Sequence, residues 1–250
     1  FYVMQWKGVN KTTSSQTQAT TTDSMSQKCA APLAMTTETI HEEASSSPSV
    51  SAEYPQFPSL SLEFNQAIKS AVTSKLDEFR KEADENFKAR KATAPKNQVV
   101  NASDFSFTAR WEPVQTNNNY VSMIVRFDSY IGGANENQEL QTFNYDVANK
   151  NILSLGDLFA SSTDYLTALS SESRKQLANK LGAAAADATP TEMLLNGTEP
   201  KEENFKDFTF TGTAIQIYFQ KYAVAAGALG EQKVVIPWSA VGGMGLKGCL

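Results

Sequence analysis

Residues 62–90 read LEFNQAIKSAVTSKLDEFRKEADENFKAR. Apolar side chains recur there at Phe64, Ile68, Val72, Leu76, Phe79, Ala83 and Phe87, in steps of three or four. At about 3.6 residues per turn that spacing keeps them on one side, which predicts one long helix with a single buried stripe. The opposite side carries Asp77 with Lys81 and Asp84 with Lys88, each pair spaced for attraction along a helix. Alone, such a helix suits a coiled coil, but strand-like sequence follows it, so the stripe is expected to pack on a sheet. Upstream, the fold is expected to start near Tyr54. Pro55 and Pro58 hold an extended approach, and Ser59 or Ser61 is placed to cap the helix. Pro95 and Asn97 close it.

Downstream the period changes. Phe105, Phe107 and Ala109 alternate with Ser106, Thr108 and Arg110, the pattern of a half-buried strand. Asn117-Asn118-Asn119 marks a turn into a partner strand from Tyr120 to Tyr130, and Gly132-Gly133-Ala134-Asn135 makes the next loop. A further strand runs from Leu140 to Val147, with Asn149-Lys150-Asn151 turning into Ile152 and Leu153. Leu153, Leu155, Leu158 and Phe159 then act as anchors around Gly156 and Asp157. Ser161 and Asp164 have capping spacing ahead of a helix whose stripe is Leu166, Leu169, Leu177 and Leu181, ending near Ala186. Thr189, Pro190 and Glu192 start a short helix that stops at Asn196-Gly197. Strands return at Phe208–Phe210, Ala214–Phe219 and Val234–Pro237, with Lys221–Gly230 as an ordered Gly/Ala-rich loop. The expected class is α+β: antiparallel sheet or sheets with one long N-terminal helix and a second helix packed on the sheet.

Composition divides the 250 residues. Residues 11–51 hold 18 Ser or Thr with no apolar period, so a disordered linker is expected over 8–53. The opening FYVMQW is apolar and aromatic and ends at Lys7, resembling the last turns of a membrane anchor over residues 1–7 whose N-terminal helix lies outside this chain. Residues 54–250 form the expected folded domain, divisible into lobes at 54–150 and 151–250. The net charge of -5 disfavours a nucleic-acid partner. One histidine, His41, and two distant cysteines, Cys29 and Cys249, are too few for a zinc or iron–sulfur centre, and no cofactor is expected. Gly132-Gly133 and Gly242-Gly243 lack the frame of a phosphate loop and read as turn glycines. Asp128, Glu136, Asp146 and Asp157 are scattered, with no paired-carboxylate signature, and Asp157 reads first as a turn or helix cap.

Aromatic residues are the more informative set. Tyr120, Phe127, Tyr130, Phe143 and Tyr145 gather on two predicted strands, Tyr218, Phe219 and Tyr222 on a third, and Trp238 follows Pro237. Most belong in a core, while a minority suits a groove for a sugar polymer or a protein partner.

The stretch YIGGANENQELQTFNYDVANKNILSLGDLF, residues 130–159, resembles the extracytoplasmic domain shared by RsiV-type anti-sigma factors and the N-terminal part of PdaC-type peptidoglycan deacetylases. That family carries a Tyr, a Gly-Gly-Ala-His loop, a strand with Phe-Asp before a turn, and Leu-x-Asp-Leu-Phe. These fall on Tyr130, Gly132 to Asn135, Tyr145-Asp146 and Leu155 to Phe159. Residues 208–241, FTFTGTAIQIYFQKYAVAAGALGEQKVVIPWSAV, are similar to its closing pattern through Tyr222 to Ala225 and Val234 to Pro237. Asn135 stands where members keep a His, which removes a proton-transfer or metal-binding group from that loop.

The resemblance implies an envelope-facing binding or sensory domain, tethered by one membrane helix, with an envelope protein or a peptidoglycan fragment as partner. The residues expected to meet the ligand are Tyr130, Gly132, Gly133, Asn135, Glu136, Tyr145, Tyr222 and Trp238. Two other classes stay open: a hydrolase of envelope polymer using Asp128, Asp146 or Asp157, and a structural or assembly protein of the envelope.

Overall fold

A computed structural model describes residues 10–15, 33–43, 47–160, 164–181 and 191–246. The expectations for residues 1–7, Cys29, Cys249, Ser161, the alanines at 183–186, Thr189 and Pro190 lie outside the described residues. The chain is α+β, as its sequence pattern predicts, and it divides into two compact units that do not follow chain order. Of the described residues, one unit takes 10–15, those within 33–112, and 125–141, and the other takes 113–124 and those from 142 onward.

In the first unit, β1 (Asn10–Ser15), β2 (Thr36–Glu42) and β3 (Ser49–Gln56) pair antiparallel in sequence order. This corrects the expected linker over 8–53, because much of that stretch is sheet. The serines and threonines are strand formers here, and Val50, Ala52 and Tyr54 alternate inward to full burial. A search for helical period passes over that two-residue alternation.

From β3 the chain enters α1 (Leu62–Thr93), 32 residues and about 48 Å long. Ser61 caps it, its Oγ accepting from Phe64 N at 3.2 Å. The Asn65 side chain then clasps Phe57, accepting from Phe57 N at 2.7 Å and donating to Phe57 O at 2.9 Å. The stripe Phe64, Ile68, Val72, Leu76, Phe79 and Ala83 is buried as its spacing requires. Ala94, extended ahead of Pro95, ends the helix, with Arg90 and Lys91 in its last turn. Because a long helix separates β3 from β4 (Ser106–Thr116), those strands pair in parallel, a departure from the all-antiparallel expectation. Phe79 stacks on Phe107 at 5.5 Å, and Phe107 lies 6.4 Å from Phe127, so one face of β4 and of β5 (Tyr120–Tyr130) belongs to the helix.

The strands β1 to β7 follow one another in sheet order, with β6 (Asn137–Asp146) and β7 (Asn151–Ile152) closing the series. The short loops before β5 and β6 force antiparallel neighbours.

The second unit holds a separate sheet in the order β10-β9-β8, antiparallel throughout: β8 (Phe208–Phe210), β9 (Ala214–Phe219) and β10 (Gln232–Pro237). Helix α2 (Tyr165–Lys180) starts at Asp164, which accepts from Thr167 N at 3.3 Å. Helix α3 (Glu192–Gly197) is capped by Thr191, whose Oγ1 accepts from Leu194 N at 3.2 Å. Leu169, Leu177, Phe205, Phe210, Ile217 and Ile236 lie in its core. Side chains close both sheet edges. Phe208 N and Phe210 N donate to Thr142 Oγ1 and Ser122 Oγ at 3.1 and 2.9 Å, and Asn144 Nδ2 donates to Phe208 O at 2.8 Å. Gln176 covers the β10 edge.

Candidate functional site

Strand alternation divides β4 and β5 into two faces. Phe105, Phe107 and Ala109 are buried with Phe127, which leaves Ser106, Thr108 and Arg110 beside Asp128 on the opposite face. With Ser129, Glu136 and Gln138 they line a groove of about 310 Å³ in the first unit. Asp128 is its hub. Oδ2 accepts from Arg110 Nη1 and from Thr108 Oγ1 at 3.4 Å, while Oδ1 accepts from Gln138 Nε2 at 3.1 Å. Both oxygens are occupied by donors. Farther along the same face Arg126 Nε donates to Glu112 Oε1 at 2.9 Å. Ser106, Ser129 and Glu136 line the groove with no side-chain partner among the described residues.

The loop beside the groove is set from below. Gly132 has φ +84°, and a Cβ there would lie 2.3 Å from Arg90 Nη1. Glycine is needed because the Arg90 guanidinium, 5.7 Å from the centre of the Phe105 ring, fills that space. Gly133, Asn135 and Glu136 are exposed, and Tyr130 is half-buried at the end of β5. On the helix side of the sheet, Lys75 Nζ lies 2.7 Å from Glu139 and 3.0 Å from Glu78. Burial alone would lower the Lys75 pKa, but hydrogen bonds to the two carboxylates carry it above its ordinary value. Burial alone would raise Glu139, and its bonds with Lys75 and Asn137 bring it below.

The remaining expected residues lie in the second unit and differ sharply in access. Tyr145 is 1 % exposed and Trp238 is 7 % exposed. Trp238 Nε1 donates to Thr211 O at 2.8 Å, and its ring meets Phe159 edge-on at 6.0 Å. Both are core residues, so their assignment to a ligand surface is corrected: an aromatic on an inward-facing position serves packing. Tyr222 is the opposite case, 64 % exposed with φ 71°. A left-handed backbone at a bulky residue costs about 1–3 kcal/mol.

The carboxylates of the hydrolase alternative serve local structure. Asp146 accepts from Asn149 N at 2.9 Å and Asn149 Nδ2 at 2.8 Å. Asp157 Oδ2 accepts from Ser154 N at 2.7 Å and Ser154 Oγ at 2.6 Å, the turn-capping role its sequence context suggests. Tyr165 Oη donates to Glu202 Oε1 at 2.6 Å, and its pKa is pushed up to about 12 by burial first and by that carboxylate second. Among the described residues no three His, Cys, Asp or Glu side chains gather to hold a metal, and no described helix is long and apolar enough to cross a membrane.

Of the residues expected from the sequence to meet a ligand, Glu136 lines the groove, and Ser106, Thr108, Arg110, Ser129 and Gln138 are not among those expected. The signal for the first three was the polar half of the β4 alternation, which was used only to find the strand.

Two family models match this chain, one over each half of the folded region. Residues 41–138 match the family model described as Deacetylase PdaC, and residues 156–239 match that of Protein of unknown function (DUF3298). The chain thus carries a PdaC-like segment followed by one similar to DUF3298. A curated relative, the peptidoglycan-N-acetylmuramic acid deacetylase PdaC of Bacillus subtilis, is 40 % identical over 116 residues. That match covers 46 % of this chain and 24 % of the relative, so the chain spans about a quarter of the relative's length. The fold is shared with a DUF3298 family protein of Bacteroides fragilis, at a TM-score of 0.56 and 18 % identity, covering 87 % of this chain and 96 % of that one. A DUF3298 family protein of Pseudomonas aeruginosa gives a TM-score of 0.52 at 17 % identity, covering 83 % and 93 %.

Proposed function

We propose that the chain is an extracytoplasmic, cell-wall-related domain that binds glycan in the Asp128 groove and does not cut it. Support for the compartment comes from the relative, whose name states that it acts on peptidoglycan. The observation that carries the binding reading is the occupancy of Asp128 by Arg110, Thr108 and Gln138. The Asp128 oxygens are committed to neighbouring side chains, and the hydroxyls, amide and guanidinium around them form a hydrogen-bonding surface suited to sugar hydroxyls and acetamides. Ser106, Ser129 and Glu136 supply the uncommitted groups that such a ligand would meet. Co-sedimentation of the full chain with purified peptidoglycan tests this. Saturable retention is expected, weakened about tenfold by Glu136→Ala together with Arg110→Ala. Equal retention of the double variant would remove the groove from the reading.

A further inference from the structure

Two non-glycine residues among the described ones have positive φ, Lys150 and Tyr222. Lys150 lies in the tight turn between β6 and β7, where such geometry is ordinary. Tyr222 has no hairpin to justify it, since it stands at the start of the longer connection from β9 to β10. A Cβ on Gly227 would fall 2.1 Å from Tyr222 Cζ, 2.2 Å from Cε1 and 2.5 Å from Oη. The ring therefore rests on bare backbone that only glycine leaves open. Lys221 Nζ lies 5.5 Å from the ring centre. The loop beneath is fixed: Gln232 Nε2 donates to Leu229 O at 2.7 Å, Gly230 N donates to Gly227 O at 3.1 Å, and Val224 is buried. A Cβ on Gly197 of α3 would fall 2.0 Å from Ala223 O, so the helix is held tightly against the same loop.

The ring is thus oriented by a left-handed backbone and a seat of glycine, yet it stays 64 % exposed and adds little to the core. We propose that Tyr222 is a stacking platform for a pyranose ring, which displaces the Lys221 ammonium from over the ring, and that Lys221 then pairs with a carboxylate borne by the same sugar. The C–H face of a pyranose matches one aromatic face in size, and a single isolated ring suits a sugar better than a broad protein contact. The adjacent ammonium disfavours a cationic ligand and selects an anionic one. The ligand class is an acidic amino-sugar saccharide. This rests on the cell-wall reading above and adds a second contact, in the unit that lacks the Asp128 groove.

The test titrates the full chain with the disaccharide of N-acetylglucosamine and N-acetylmuramic acid, and separately with chitobiose, which keeps the rings and lacks the carboxylate. Tyr222→Ala is expected to weaken binding of the acidic disaccharide about tenfold, and Tyr222→Phe to keep it within about twofold. Lys221→Met is expected to abolish the preference for the acidic probe over chitobiose. A cooperative thermal transition and parental far-UV circular dichroism for Tyr222→Ala separate lost binding from lost folding. Binding by Tyr222→Ala within about twofold of the parent would overturn the proposal. If that happens while the parent still sediments with peptidoglycan, only the platform fails. If the parent binds neither peptidoglycan nor the disaccharide, the cell-wall reading fails with it.

Discussion

Arg80 of α1 donates from Nη2 to Oε1 of Glu42, the last residue of β2, whose side chain is 4 % exposed. The pair ties a strand from the Ser/Thr-rich region to the long helix. Removing Glu42 leaves the partly buried Arg80 with the largely exposed Asp77, 3.1 Å away, in place of a buried carboxylate, a loss of about 2–3 kcal/mol. Glu42→Ala is therefore expected to lower the urea midpoint by that amount with an unchanged slope. A change below about 0.5 kcal/mol would mean that β2 is not docked on α1.

Gln176 of α2 meets Val235 of β10 through both backbone groups, donating from Nε2 to Val235 O at 2.9 Å and accepting from Val235 N at 3.2 Å. The amide substitutes for a neighbouring strand on an open edge. Gln176→Ala is expected to cost about 1–2 kcal/mol and to promote self-association at high concentration, read by light scattering. A monodisperse variant of parental stability would show that the edge needs no cover.

Asp207 has its pKa raised, chiefly by burial, although the bond from Gln220 Nε2 at 2.9 Å opposes the shift. A carboxyl whose folded-state pKa exceeds its unfolded value makes the folded state the better proton binder between the two values. Its contribution to stability is fully present below 3.8 and is lost as pH rises through the raised value. Asp207→Asn should thus melt higher than the parent at neutral pH, and the difference should vanish below the ordinary carboxylate value. A variant that melts lower at neutral pH would contradict this.

Gly132 and Gly133 are adjacent and behave differently. Gly132 has φ +84° with Arg90 filling its Cβ position, whereas a Cβ on Gly133 meets only Asn135 O, at 3.9 Å. Gly132→Ala is expected to cost about 1–2 kcal/mol and Gly133→Ala less than about 0.5 kcal/mol, measured by chemical denaturation. Equal costs would refute the seating of the loop on Arg90.

The long helix is legible because the apolar positions from Phe64 to Phe87 repeat over about six turns and survive any local noise. The strands β2 and β3 were not, because Ser and Thr are common both to strands and to unfolded tails. The inward alternation of Val50, Ala52 and Tyr54 is only three residues deep. The parallel pairing of β3 with β4 depends on where the helix returns the chain, which local sequence does not encode. At the site, the Gly-Gly loop was visible as a turn signal, but the Asp128 hub joins donors from β4 and β6 that meet only across strand pairing. Tyr145 and Trp238 were chosen for residue type, and the face each turns inward decides against them.

The most direct test measures two properties of one preparation: retention of the full chain on N-acetylated peptidoglycan and release of acetate from it. Saturable retention that falls about tenfold on replacing Arg110 and Glu136, with no acetate above the buffer control, is the expected result. Acetate release that depends on Asp128, or a parent chain that is not retained at all, would contradict the binding account.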